Sequence, residues 1–141
     1  MSILKHQFIE SENVVKLADG TTVDLDTVAH DIYYYIKQDK RALNFTLSFA
    51  DSVVLARELL SYLSVCNAWG AGRPADAPPL GDEDYVLKLQ SPKDNCVMEL
   101  KYGEGVLLNV VNRENGETMT LPLDVDGCIL FVAAIMRALL S

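Results

Sequence analysis

The chain has 141 residues and a mass of 15.6 kDa, the size of one globular unit or of two very small ones. Half of its residues are hydrophobic and 23% are charged, so its composition excludes an intrinsically disordered chain. The formal net charge of −8 disfavours non-specific binding to polyanions, although a local basic face can exist on an acidic protein.

Three cysteines, Cys66, Cys96 and Cys128, are widely spaced and belong to no Cys-x-x-Cys or Cys/His cluster. This pattern predicts neither a disulfide framework nor a zinc site, and it favours buried, reduced thiols. The first residues lack the basic-then-apolar order of a signal peptide, and the longest apolar stretch, 128–136, is too short to span a bilayer. We therefore expect a cytoplasmic protein without a membrane segment.

The first half begins with short strand-like runs at 7–10 and 14–18. Asp19-Gly20 is a strong tight-turn dipeptide, and it predicts a hairpin that continues into a strand at 21–25. Two alternatives remain for 26–38, either a helix capped by Asp26 or a strand over IYYYIKQ, whose aromatic and β-branched residues suit a sheet.

A helix is predicted over 52–63, with Asp51 or Ser52 as its N-cap. Residues 67–84 follow, with three glycines and three prolines, and their composition is typical of a linker. The linker divides the chain into a first unit at 1–66 and a second unit at 85–141.

The second half shows clear alternation of apolar and polar residues, which predicts a four-stranded antiparallel meander. Its turns fall at Gly103 to Gly105 and at Asn115-Gly116, and a helix follows, capped by Asp124 or Asp126. We therefore expect an α+β fold in which each half consists of an antiparallel sheet followed by one helix.

An internal repeat supports this organisation, because residues 32–49 align without a gap on 106–123. Only Thr46/Thr120 and Leu47/Leu121 are identical, but the apolar positions coincide. The repeat favours the strand alternative for 26–38 and predicts two tandem units forming a pseudo-symmetric pair.

The terminal helical run, 128–140, carries a single charge, Arg137. A helix that is apolar almost all round is buried on more than one side. We expect one side to cover its own sheet and another to meet the first helix or a second subunit, and we predict a homo-oligomer that assembles through this helix.

The best candidates for a binding surface lie within 26–38, if this segment is a strand. If Ile32, Tyr34 and Ile36 face the core, then Tyr33, Tyr35 and Lys37 face outward. Bases of single-stranded nucleic acid stack on such rings, and basic side chains follow the phosphates. The predicted nucleic-acid-binding set is Tyr33, Tyr35, Lys37, Lys40, Arg41, Trp69, Arg73, Lys88, Lys101 and Arg113. The alternative is that these tyrosines lie on an amphipathic helix or pack between subunits.

No enzymatic signature accompanies these residues. His30 beside Asp31 lacks a nucleophile motif, and the sequence contains no phosphate-binding or dinucleotide-binding glycine pattern. We predict a protein that is not an enzyme, with no catalytic residue, metal or cofactor.

The segment VLLNVVNRENGETMTLPLDVDGCILFVAAIM consists of a predicted strand, a polar Asn-Gly turn, a second strand and a helix. This doubled pattern resembles the single-stranded-DNA-binding group that includes Whirly proteins, Pur-alpha and positive cofactor four, although that group is usually more basic. In proteins of that group, two units pair through their helices and present their sheets to single-stranded DNA. The resemblance implies single-stranded DNA as the partner.

The small, acidic character of the chain is also similar to that of phage proteins, some of which bind single-stranded DNA and assist RNA polymerase. That similarity implies a phage transcription or replication cofactor in the host cytoplasm. The competing hypothesis is an acidic protein-binding module, either a secretion-type chaperone or an inhibitor of a host protein.

Overall fold

The computed structural model describes residues 13–68, 85–91, 93, 95–102 and 105–141. Within these ranges the chain forms eight strands and two helices. The first half contains β1 (Val14–Lys16), β2 (Thr22–Val28), β3 (Asp31–Gln38), β4 (Arg41–Ser48) and α1 (Phe49–Ala68). The second half contains β5 (Tyr85–Gln90), β6 (Cys96–Tyr102), β7 (Val106–Asn112), β8 (Thr118–Leu123) and α2 (Val125–Leu140).

Each half forms one antiparallel meander, with the strand orders β1-β2-β3-β4 and β5-β6-β7-β8. Because each sheet is followed directly by a helix, the predicted α+β fold with two tandem sheet-plus-helix units is confirmed. The additional strand predicted at 7–10 lies outside the described residues.

Residues 26–38 belong to two strands, so the alternative of a helix capped by Asp26 is wrong. Asp26 lies within β2, opposite Tyr33 of β3, and the two strands are joined by the two-residue turn Ala29-His30. Along β3 the side chains of Ile32, Tyr34 and Ile36 are fully buried while their neighbours are more exposed. This period of two places one face of the strand on the core and the other toward solvent.

The predicted Asp19-Gly20 turn joins β1 to β2. The Leu17 amide donates to the Thr21 carbonyl at 2.8 Å, and the Gly20 amide donates to the Leu17 carbonyl at 3.0 Å. Gly20 has a φ of +94°, which a side chain would disfavour, so glycine suits this position.

The repeat is structural, but its gap-free alignment is wrong beyond β3 and β7. Ile32 pairs with Leu47, whereas its counterpart Val106 pairs with Leu123, two residues further along than the alignment implies. The register of β7 on β8 is thus shifted by two residues relative to that of β3 on β4. A two-residue insertion keeps the strand's alternation in phase, which is why the apolar pattern still matched.

Each helix begins at a capping side chain next to the end of the preceding strand. Ser48 is the last residue of β4, and Asp124 directly follows β8. The Ser48 hydroxyl accepts from the Asp51 amide at 3.1 Å, so Ser48 caps α1 rather than the predicted Asp51 or Ser52. Asp124 caps α2, as one of the two predicted alternatives, and accepts from the Gly127 amide at 2.7 Å. Because α1 continues to Ala68, the predicted boundary at 66 falls inside this helix.

Each helix contacts both its own sheet and the sheet of the other unit. The Thr27 hydroxyl in β2 donates to the Ala138 carbonyl of α2 at 2.7 Å. Reciprocally, the Tyr102 hydroxyl in β6 donates to the Glu58 carbonyl of α1 at 3.2 Å. The helices therefore cross over between the units and tie the two sheets together. Neither helix, within the described ranges, has the length and apolarity needed to cross a membrane.

One continuous core joins both units. At its centre the Tyr34 ring stacks on Phe45 with centroids 4.8 Å apart and lies 6.3 Å from Phe131 of α2. The Tyr34 hydroxyl hydrogen-bonds the Ser52 hydroxyl of α1 at 2.7 Å, and both side chains are completely buried. This aromatic cluster connects the first sheet to both helices.

Candidate nucleic-acid interface

The tyrosine row consists of Tyr33, Tyr35 and Lys37 on the outward face of β3. Their orientation follows from the alternation along the strand, because the residues between them are buried in the core. Tyr35 retains 37% of its accessible surface, Lys37 is exposed and Tyr33 is half-buried. The two tyrosines lie two residues apart, about 7 Å along the strand, and Tyr35 is the more exposed of the two.

Two carboxylates adjoin the tyrosine row on β2. Asp24 pairs with Tyr35 and Asp26 pairs with Tyr33, so each acidic side chain emerges next to a ring on the same face. On the other side, β4 places Asn44 opposite Tyr35 in the register. The aromatic surface is thus bordered by carboxylates on one side and by a neutral amide on the other.

Burial raises the pKa of the Asp24 carboxyl above its usual value of 3.8, and repulsion from Asp26 raises it further. Both effects disfavour a negative charge on the Asp24 carboxyl. From the sequence, Asp26 is considered as a possible helix cap, and neither carboxylate is placed beside the tyrosines. The signal that could have found them is the pairing of β2 with β3. A hairpin with the two-residue turn Ala29-His30 places Asp24 opposite Tyr35 and Asp26 opposite Tyr33.

Lys40 and Arg41 lie where β3 turns into β4, at the end of the tyrosine row. Lys40 is an exposed turn residue, available to a phosphate beside Lys37. The Arg41 guanidinium donates to the Thr118 carbonyl of β8 at 2.6 Å, and the neighbouring Gln38 amide donates to the Thr120 carbonyl at 3.0 Å. Arg41 therefore joins the two sheets and contributes to the interface mainly by holding this turn in place.

The predicted basic residues of the second sheet lie on β5, on β6 and in the turn between β7 and β8. Lys88 forms an ion pair with Glu99, with Nζ and Oε2 3.3 Å apart, and Lys101 is half-buried on β6. The two sheets meet at the β3–β4 turn, where Arg41 contacts β8, and also at the β5–β6 loop, where Lys93 Nζ lies 2.9 Å from Asp31 Oδ2 at the start of β3. Arg113 is exposed in the turn between β7 and β8.

Trp69 and Arg73 lie outside the described residues. Of the ten predicted residues, the structure brings together Tyr33, Tyr35, Lys37 and Lys40 as one outward group. Among the described residues, no cluster of three His, Cys, Asp or Glu side chains is arranged to hold a metal ion. What the group offers chemically is stacking on two rings and charge pairing with two ammonium groups.

A comparison of the chain with models of known protein families finds no match, and a comparison with curated protein sequences finds none either.

Proposed function

We propose that this protein binds single-stranded DNA on the outward face of its first sheet and has no enzymatic activity of its own. The observation that carries the proposal is the row of Tyr33 and Tyr35 on one strand face, with Lys37 and Lys40 at its end. Stacking on tyrosine is tolerant of base identity, so the binding has little sequence preference.

The architecture supports the proposal in a second way. Two sheet-plus-helix units are joined through their helices, and the inward faces of both sheets pack into one core. This is the arrangement that the resemblance to Whirly proteins, Pur-alpha and positive cofactor four implies. A role in assisting transcription or replication, as in phage cofactors, belongs to the same proposal.

A gel-shift titration with a fluorescent single-stranded oligonucleotide at low salt tests the binding. Each base stacked on a ring contributes about 1–3 kcal/mol, so Tyr33→Ala/Tyr35→Ala weakens binding at least tenfold. The matched control is Leu107→Ala/Asn109→Ala, which changes the equivalent outward positions of β7 in the second sheet. If wild type gives no shift at micromolar protein, or if both double variants bind alike, the site assignment is wrong.

The carboxylates beside the rings favour a second candidate function, the binding of a basic protein segment. Asp24 and Asp26 provide anionic partners for lysine or arginine, and the adjacent tyrosines provide faces for cation–π contacts. This candidate belongs to the class of acidic protein-binding modules.

Asp24→Asn/Asp26→Asn separates the two candidates, because it acts on them in opposite directions. Removing both charges strengthens oligonucleotide binding and weakens binding of a lysine-rich peptide. Fluorescence anisotropy with both probes gives the two affinities under the same conditions. A variant that binds the oligonucleotide more weakly than wild type contradicts the nucleic-acid proposal.

A further inference from the structure

The outward face of the helix layer carries most of the large apolar side chains that the described residues expose. Seven of these eleven side chains lie on the two helices. They are Val53 and Leu60 on α1, and Val125, Ile129, Leu130, Met136 and Leu140 on α2.

Four of these residues on α2 form one continuous line together with Ala133. Successive residues of a helix turn by 100°, so Val125, Ile129, Ala133, Met136 and Leu140 fall within about 80° of one another. We call these five residues the α2 stripe, and none of them is charged. The opposite face of α2, which includes Cys128 and Phe131, is buried in the protein's own core.

We infer that the α2 stripe is the contact surface of a homodimer, in which α2 of one copy packs antiparallel on α2 of a second copy about a two-fold axis near Ala133. In such an isologous contact Ile129 of each copy meets Met136 of the other, and the small Ala133 side chains allow the helices to approach at the centre. This assigns assembly to the outer side of α2 rather than to the whole helix. The inference does not depend on the proposed nucleic-acid binding.

The exposed apolar area fits a second copy. Within the α2 stripe, the four side chains of Val125, Ile129, Met136 and Leu140 are each about 40–80% exposed and together present on the order of 400 Å². A standard stable interface buries about 800 Å² on each partner, with an apolar core and a polar rim. The α2 stripe therefore supplies about half of the area that each partner of such a dimer buries, and this half is its apolar core.

Charge explains why α2 rather than α1 lies on the axis. The equivalent line on α1 runs through Val53, Arg57, Leu60 and Ser64, so a two-fold contact there would bring two copies of Arg57 together. The uncharged α2 stripe has no such repulsion, which matters for a chain with a formal charge of −8. Arg137 lies at the edge of the stripe and donates from Nε to the Asn13 side chain at 3.1 Å.

Sedimentation equilibrium on the full chain tests the inference. Wild type at tens of micromolar is expected at twice the chain mass of 15.6 kDa. Ile129→Glu is expected to be monomeric with an unchanged circular dichroism spectrum, because this side chain is 50% exposed within the subunit. Val28→Glu is the matched control, since Val28 is 48% exposed and its side chain lies on the face of β2 opposite Thr27, which contacts α2; this variant is expected to stay dimeric.

A charge-pair experiment identifies the facing residues even if a single variant is poorly folded. Ile129→Glu and Met136→Lys chains, each monomeric alone, are expected to form a mixed dimer, because the carboxylate on one chain then faces the ammonium on the other. Wild type that is monomeric throughout overturns the inference and assigns this face to another occupant. Dimers that persist in Ile129→Glu, or soluble variants that fail to associate when mixed, overturn the proposed geometry.

Discussion

The hydrogen bond between Tyr34 and Ser52 gives the most quantitative prediction for stability. Both side chains are completely buried, and their hydroxyl oxygens lie 2.7 Å apart. Ser52→Ala leaves the tyrosine hydroxyl without this partner in the core, which costs about 1–3 kcal/mol of unfolding free energy. For a chain of this length, a loss of about 2 kcal/mol lowers Tm by roughly 4–8 °C.

Tyr34→Phe is expected to cost less, about 1 kcal/mol. The orphaned Ser52 hydroxyl sits in a helix, where serine can donate to the carbonyl of the residue four positions earlier. The double variant removes both partners, so its loss is smaller than the sum of the two single losses. The expected coupling is about 1–2 kcal/mol.

Urea unfolding of the wild type, the two single variants and the double variant measures this coupling. The matched control is the cycle at Asn109 and Thr120, whose side chains also lie 2.7 Å apart but in an exposed pair. There we expect a coupling below about 0.5 kcal/mol, because solvent replaces either partner. If Tyr34 and Ser52 prove additive, the buried hydrogen bond does not contribute as described.

The burial of Tyr34 also makes the free energy of unfolding depend on pH in the alkaline range. Desolvation raises the pKa of Tyr34 above its ordinary value of 10, and the weaker effect of the Ser52 hydrogen bond opposes this shift. Above pH 10 the unfolded chain therefore loses the Tyr34 proton while the folded protein keeps it. Stability falls as pH rises, by up to about 1.4 kcal/mol per pH unit from this group. Tyr34→Phe is expected to flatten this decline.

Three further changes test other parts of the structure. Asp24→Asn is expected to stabilise the protein at pH 7, because the raised pKa shows that folding disfavours the ionised carboxylate; the gain, measured by urea unfolding, should disappear below pH 3.8, where wild type is already protonated. Ala29→Gly is expected to raise the unfolding free energy by up to about 1 kcal/mol, because Ala29 has a φ of +57°, and an unchanged or lower midpoint would contradict that backbone geometry. Thr27→Val is expected to cost about 1 kcal/mol in the same assay by removing the bond to Ala138, and no loss would argue against the crossing of α2 onto the first sheet.

The sequence predicted most of the strands because alternation is a local property. Leu87, Leu89 and Met98 share the period of two that defines a half-buried strand, and each pairs as that period implies. The crossing of the helices was not predictable in this way. The apolar character of α2 shows that it is covered on several sides, but it does not specify which sheet covers it.

The candidate site was predicted in part for the same reason. The outward direction of Tyr33 and Tyr35 follows from alternation within one strand. Their neighbours Asp24 and Asp26 depend on the register between two strands, which the short Ala29-His30 turn sets. The ion pair of Lys93 with Asp31 depends on how the two sheets are placed, which is a tertiary property that local alternation does not predict.

The most direct test of the nucleic-acid proposal is oligonucleotide affinity measured as a function of salt concentration. Phosphate contacts from Lys37 and Lys40 predict a log–log slope of about −1.4, because single strands contribute about −0.7 for each contact. Lys37→Gln/Lys40→Gln is expected to bring the slope close to zero while the tyrosines still bind weakly. A wild-type slope near zero, or no measurable binding at low salt, would contradict the proposal that this surface binds single-stranded DNA.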